Sequence, residues 1–366
     1  MHLAPDFFRA AVAFVVVLGI LVFVHEFGHY LAARWRGVHV EVFSIGFGQA
    51  LATWTDRVGT VWKLAWIPLG GYVKLHGQER PQDVPPEVRA RWLPGLTFQE
   101  KSVGSRAIVV AAGPAANFVL AMVLFAGLFA VAGRPVTAPV VNQVMSGSAA
   151  AVAGLQPQDR IVAIDGTPIA NFEDLQRIVS AHPNTSMQVA IRRDGHDLTL
   201  PVVTGVQQQD GQQIGLLGIK GGQVTYQHVS LPAALWGGVA ETWQVTAETA
   251  RGVARIFTAG HGADEIGGPL RIAELSGQVA AMGAASLVSF IAVLSINLGL
   301  INLFPIPILD GGHLLFFAFE AIRGRPLPPR AQEYGFRAGL ALLAGLFIFA
   351  TWNDLAHLGM FRWFAG

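Results

Sequence analysis

The sequence predicts a polytopic α-helical membrane protein of about four transmembrane helices, with a membrane-associated β-hairpin region and an inserted mixed α/β soluble domain. Three observations lead there. Charged residues make up 13% of the 366 residues, against about a quarter in an ordinary soluble domain. Apolar residues reach 52% and the mean hydropathy is +0.46, too apolar for a chain of this size to cover itself with solvated side chains. The apolar residues also gather into runs able to cross ~30 Å of hydrocarbon, with one stretch of ordinary soluble sequence between them. The net charge of +1 offers no bulk attraction for nucleic acid. The lack of cysteine excludes disulfides, thiolate metal sites and cysteine nucleophiles.

The elements follow in order. Residues 1–132 form the first part of a membrane core. Its first span, about 10–33, has no basic leader and no small-residue cleavage site after it, and reads as a retained helix. Over 38–75 the pattern changes to short, glycine-broken runs of β-branched and aromatic residues, which favours strands and hairpins. Residues 76–105 are polar and contain proline, as a cytoplasmic loop would. A second span covers about 106–132. Residues 135–228 alternate strand-like runs with Gly and Asp turns and form the soluble domain. Residues 229–286 hold an amphipathic helix and a linker: Trp236, Val239, Trp243 and Val253 share a helical face, while Glu241, Glu248, Arg251 and Arg255 oppose a spanning role. Residues 287–366 complete the core. A third span, about 287–315, is interrupted at Pro305 and Pro307, and a fourth covers about 336–357.

The chemistry concentrates in the first span. His25 and His29 stand at i and i+4, so two imidazoles share one helical face and can converge on one ion. Glu26 lies beside them, where a carboxylate can take a proton from water. Ionisable groups at membrane depth cost roughly 2.5–3.5 kcal/mol each on insertion scales and need partners, which argues against three idle polar residues. Catalytic zinc takes three protein ligands and keeps one position open. Asp310 is the only carboxylate between Glu274 and Glu320, and it follows a broken helix of the kind tolerated only beside a cavity or inside protein. His313 is a rival third ligand. From these residues alone a cation or proton transport path, or an inactive scaffold, stays open beside metalloprotease chemistry.

With three motifs in order, the chain resembles the site-2 protease family of intramembrane zinc metalloproteases, closest to its bacterial RseP branch. The motifs are His25-Glu26-Phe27-Gly28-His29 in span one, Gly113-Pro114-Ala115-Ala116-Asn117 in span two, and Asn302 through Asp310-Gly311 in span three. The resemblance implies one zinc ion per chain held by His25, His29 and Asp310, with Glu26 as general base. It also implies substrate-positioning roles for Asn302, Pro305, Pro307 and Asn117. Its implied substrates are single-span membrane proteins, such as anti-sigma factors already trimmed on the extracytoplasmic side or remnant signal peptides. Such a substrate must be unwound before attack, and an edge strand over residues 61–65 near the metal could hold it by main-chain pairing.

Residues 147–166 resemble the core of a PDZ domain, with Gly215, Leu216, Leu217, Gly218 and Ile219 matching its peptide-binding loop and strand. There is room for one such module, where many relatives of this branch carry two. It could bind an extended peptide or serve only as a steric plug that excludes untrimmed partners. The positive-inside rule sets the orientation: Arg34, Arg36, Lys101, Arg106, Arg323 and Arg325 cluster near the span ends on the active-site side, making it cytoplasmic. The PDZ domain and both termini then face outward from a bacterial inner membrane, and the partners are substrate and lipid bilayer, not nucleic acid.

Overall fold

The computed structural model describes residues 3–79, 83–209, 212–221, 224–259 and 267–357. Parts of the predicted regions at 1–2, 80–82, 210–211, 222–223, 260–266 and 358–366 lie outside the described residues. The chain divides into two compact units, one of residues 1–128 and 232–366 and the other of residues 129–231.

The first unit opens with α1 (Leu3–Trp35), an apolar helix longer than predicted. Strands β1 (Val40–Thr55) and β2 (Val61–Leu75) follow. Their turn is held by Asp56, whose carboxylate accepts from the Val58 and Thr60 N–H groups, from the Trp62 indole and from the Tyr30 hydroxyl. The two strands do not form a simple ladder. Residues 42–45 of β1 pair with residues 61–64 and also with residues 71–74, and residues 52–55 pair with residues 61–64 from the other side. The hairpin is therefore folded back on itself, with residues 61–64 in its interior.

After the short α2 (Pro86–Arg89) comes α3 (Val103–Ala132), with Pro114 inside it. The unit resumes with α6 (Leu231–Ala259), which presents Trp236 and Trp243 outward and packs on α3 where Gly238 meets the Met122 carbonyl. The stretch predicted as linker holds a helix, α7 (Pro269–Ala281), that packs along α1. The predicted third span is two helices, α8 (Ala284–Asn302) and α9 (Asp310–Arg323), because Pro305 and Pro307 cannot donate to a helical ladder. α10 (Pro329–His357) begins earlier than predicted. Among the described residues, four helices are long and apolar enough to cross a bilayer: Phe8–Trp35, Val103–Ala132, Ala284–Asn302 and Pro329–Ala356. With the strands, this is the make-up of a polytopic membrane protein.

The second unit carries the strands β3 (Arg134–Thr137) to β12 (Val224–Gln227), and their mutual pairing brings its two ends together, as an insertion requires. Its centre is a four-stranded sheet in the order β6 (Thr167–Pro168), β5 (Arg160–Ile164), β7 (Ser186–Arg193), β8 (His196–Val203). Helices α4 (Ala149–Val152) and α5 (Phe172–Ser180) are capped by Ser148 and Asn171. Buried Val141, Ile161, Ile164, Leu175, Val189 and Ile191 form its core. β9 (Gly205–Gln209) pairs with β10 (Gln212–Leu216), and β11 (Ile219–Lys220) pairs with β4 (Gln143–Val144). Of the residues predicted to line a peptide groove, Leu217 is buried in the core and Ile219 pairs with Val144. A Cβ on Gly215 would lie 2.1 Å from the Val179 carbonyl oxygen, so β10 packs directly on the last turn of α5 there.

Candidate metal centre

Helix geometry puts His25 and His29 on one face of α1, with their Nε2 atoms 3.3 Å apart. The first residue of α9 adds the third corner: Asp310 Oδ2 is 3.2 Å from His25 Nε2 and 3.4 Å from His29 Nε2. These three edges are nearly equal. An ion with tetrahedral donor bonds of about 2.0–2.1 Å has donor–donor edges of about 3.3–3.4 Å, so the triangle has the size of one face of such a site, with the fourth vertex open. Asp310 Oδ2 is buried and makes no geometrically sound hydrogen bond, an orphan state that a cation would relieve. Among the described residues, these three are the one group with metal-ligand spacing. The residues present therefore fit a zinc ion.

The remaining imidazole nitrogens are also engaged. His29 Nδ1 is 2.9 Å from the Val109 carbonyl oxygen, which can only accept, so Nδ1 carries the proton and Nε2 keeps its lone pair for an ion. His25 Nδ1 is 3.2 Å from the side-chain amide of Asn117. The second motif also makes room: a Cβ on Gly113 would sit 2.2 Å from His29 Nε2, so any larger residue would displace the ring.

Glu26 lies in a cleft of about 880 Å³ that also opens onto His25, His29 and Asp310. Asn302, at the end of α8, lines this cleft, and so does His313, which lies outside the three-residue cluster. Pro305 and Pro307 shape the turn between α8 and α9, and Pro307 packs against Gly335 and Gly339 of α10. Asn117 is fully buried behind His25.

The strand beside the cleft differs from the one predicted. Residues 61–64 are paired on both sides, so they offer no free edge. Gly71, Tyr72 and Val73 line the cleft instead, with the Val73 N–H facing the Glu26 carboxylate. Close passage is possible because residue 71 has no side chain: a Cβ there would be 2.7 Å from the Ser44 carbonyl oxygen and 3.0 Å from Glu26 Cγ. Sequence reasoning also missed a buried ion pair, Arg106 Nη2 to Glu320 Oε1 at 2.6 Å, which ties the start of α3 to α9. Its signal was two opposite charges at the edges of apolar helices.

Residues 13–346 match the profile of Peptidase family M50. The chain is 45% identical over 363 residues to Atu1380 of Agrobacterium fabrum, a candidate zinc metalloprotease by name, covering 95% of this chain and 96% of that one. It is 37% identical over 389 residues to the metalloprotease MmpA of Caulobacter vibrioides, covering 97% of each. It is 32% identical over 447 residues to the regulator of sigma-E protease RseP of Escherichia coli, covering 94% of this chain and 98% of that one.

Proposed function

This chain belongs to peptidase family M50 and is a zinc metalloprotease; from that premise we propose that it is an endopeptidase cleaving the membrane-embedded segments of single-span proteins. The observation that carries this reading is the triangle of His25, His29 and Asp310 beside Glu26, on helices apolar enough to span a membrane. His25, His29 and Asp310 would hold the zinc. When bound there, zinc supplies a Lewis acid and makes water a nucleophile near neutral pH.

The protein's own groups do the rest. Glu26 takes a proton from the attacking water and passes it to the amine nitrogen that leaves as the peptide bond breaks. The Val73 N–H faces the Glu26 carboxylate across the cleft wall. Gly71, Tyr72 and Val73 receive the unwound substrate as an added strand, main chain to main chain, and Asn302 contacts it within the cleft. Residues 135–228 form a single PDZ domain. The packing of Gly215 against α5 favours a domain that excludes bulky partners over one that captures peptide ends, so substrates arrive already trimmed. Charge placement sets the active site towards the cytoplasm and the PDZ domain and termini outside the inner membrane.

The test uses purified protein in detergent with single-span helices as substrates. Glu26→Gln should lower turnover by about 10²–10⁴-fold with zinc still bound. A His25→Ala, His29→Ala double variant, or Asp310→Asn, should lower bound zinc. Full zinc occupancy in the double variant would sink the ligand assignment.

A further inference from the structure

We infer that Asn117 is a positioning residue for zinc, selecting through its amide oxygen the form of His25 that can bind the ion. The inference rests on the ligand set proposed above, and on two observations about this amide. Its nitrogen lies 3.2 Å from His25 Nδ1, and its oxygen is buried with no hydrogen-bond partner. Amide nitrogen and oxygen are nearly interchangeable in shape, and their assignment follows from the bonds they make. Turning the amide over puts Oδ1 opposite Nδ1, where it accepts from Nδ1–H. One rotation gives the oxygen a donor, moves the amide nitrogen into the site the oxygen leaves, and gives His25 the proton arrangement an ion at Nε2 requires, since a neutral imidazole with hydrogen on Nδ1 has its lone pair on Nε2.

The scaffold supports this arrangement. Asn117 is 0% exposed, and the Ser295 hydroxyl from α8 donates to its backbone carbonyl at 2.8 Å. Asn117 thus sits at the junction of α1, α3 and α8. Gly113 and Asn117 are one turn apart on α3, as His25 and His29 are on α1. Gly113 clears space for one imidazole and Asn117 orients the other, so the second motif serves the metal from behind. An outer partner of this kind typically changes metal affinity by 10–100-fold when removed.

The experiment measures zinc affinity of the full-length protein in detergent by competition with a chromophoric chelator, in wild type, Asn117→Leu, Asn117→Asp and His25→Ala. Leucine removes the acceptor at similar volume and should weaken zinc binding by about 10–100-fold. Aspartate keeps an acceptor and removes the donor, so it should bind zinc within a few-fold of wild type or more tightly. Wild-type affinity in Asn117→Leu overturns the inference. So does a folded Asn117→Asp that loses affinity by tenfold or more, a result that stands even where the leucine variant fails to fold. Loss of zinc in His25→Ala alongside either result confines the failure to Asn117, whereas zinc retained in His25→Ala means that the ligand assignment itself has failed.

Discussion

The two compact units of this chain are built on opposite terms. The unit of residues 129–231 hides an apolar core, and Asp159 and Thr204 are its fully buried polar residues among those described. The membrane unit buries His25, Arg106, Asn117, Ser295 and Asp354 while leaving Val119, Val123, Leu346, Phe347 and Ile348 outward. In water, removing apolar surface drives folding. In lipid, an apolar side chain gains little by leaving its surroundings, and helices are held by close backbone approach and buried polar bonds. Specificity in the membrane unit therefore sits in a few buried polar contacts, some of them beside the candidate metal centre.

Substitutions put this contrast to the test. The largest expected effect is at Leu175, buried in the second unit: Leu175→Ala should destabilise that unit by about 2–5 kcal/mol through the lost transfer energy and the cavity left behind. The matching truncation Val123→Ala, on the outer face of α3, should be close to neutral in a lipid-like medium. Pulse proteolysis of the full chain would compare the two, and equal losses would refute the contrast.

Next comes Val73→Pro, which removes the N–H that faces the Glu26 carboxylate. A hydrogen bond to a charged group is worth about 1.5–3 kcal/mol, so cleavage should fall roughly 10–100-fold with zinc retained. Proline at Leu64 is no substitute, because that residue is paired on both sides and the change would disrupt the sheet. A smaller effect is expected at Asp354, near the end of α10. Its carboxylate accepts from the N–H groups of Gly268, Leu270 and Arg271 and so caps α7 from another helix. Asp354→Ala should cost about 1–3 kcal/mol, read as a lowered melting temperature in detergent.

The smallest effect concerns acid. Burial alone would raise the Asp159 carboxyl, and the bonds from Arg193 and the Gln156 N–H outweigh it, so the group lies below its ordinary value. Its folded pKa is lower than its unfolded one. The contribution is therefore fully present above the usual carboxylate range and lost as pH falls through the lowered value. Urea midpoints of the second unit should decline into acid, and less steeply in Arg193→Gln. Parallel declines would remove Asp159 as the cause.

Much of this is legible in the sequence because it is local. The pairing of His25 with His29 follows from 3.6 residues per turn, and four apolar runs follow from the length of hydrocarbon they must cross. The break near Asp310 follows from Pro305 and Pro307. The strand at the cleft was misread for a physical reason. Glycine-broken strands with apolar residues on both faces specify register weakly, so nothing in residues 61–75 says which segment is covered when the hairpin folds back on itself. The helix α7 was hidden in what read as a linker, because its cap comes from Asp354, more than eighty residues later.

Local pattern specifies the four apolar runs, the helical half of the candidate metal centre and the chemistry those residue types can perform. The packing of whole helices brings Asp310, already singled out by the family motif, up to the two imidazoles, sets Gly71 to Val73 rather than residues 61–65 beside Glu26, and puts Asn117 behind His25. The reason is distance along the chain. Helix periodicity orders neighbours within a turn, whereas groups 92 positions apart, like His25 and Asn117, meet only through the packing of whole helices.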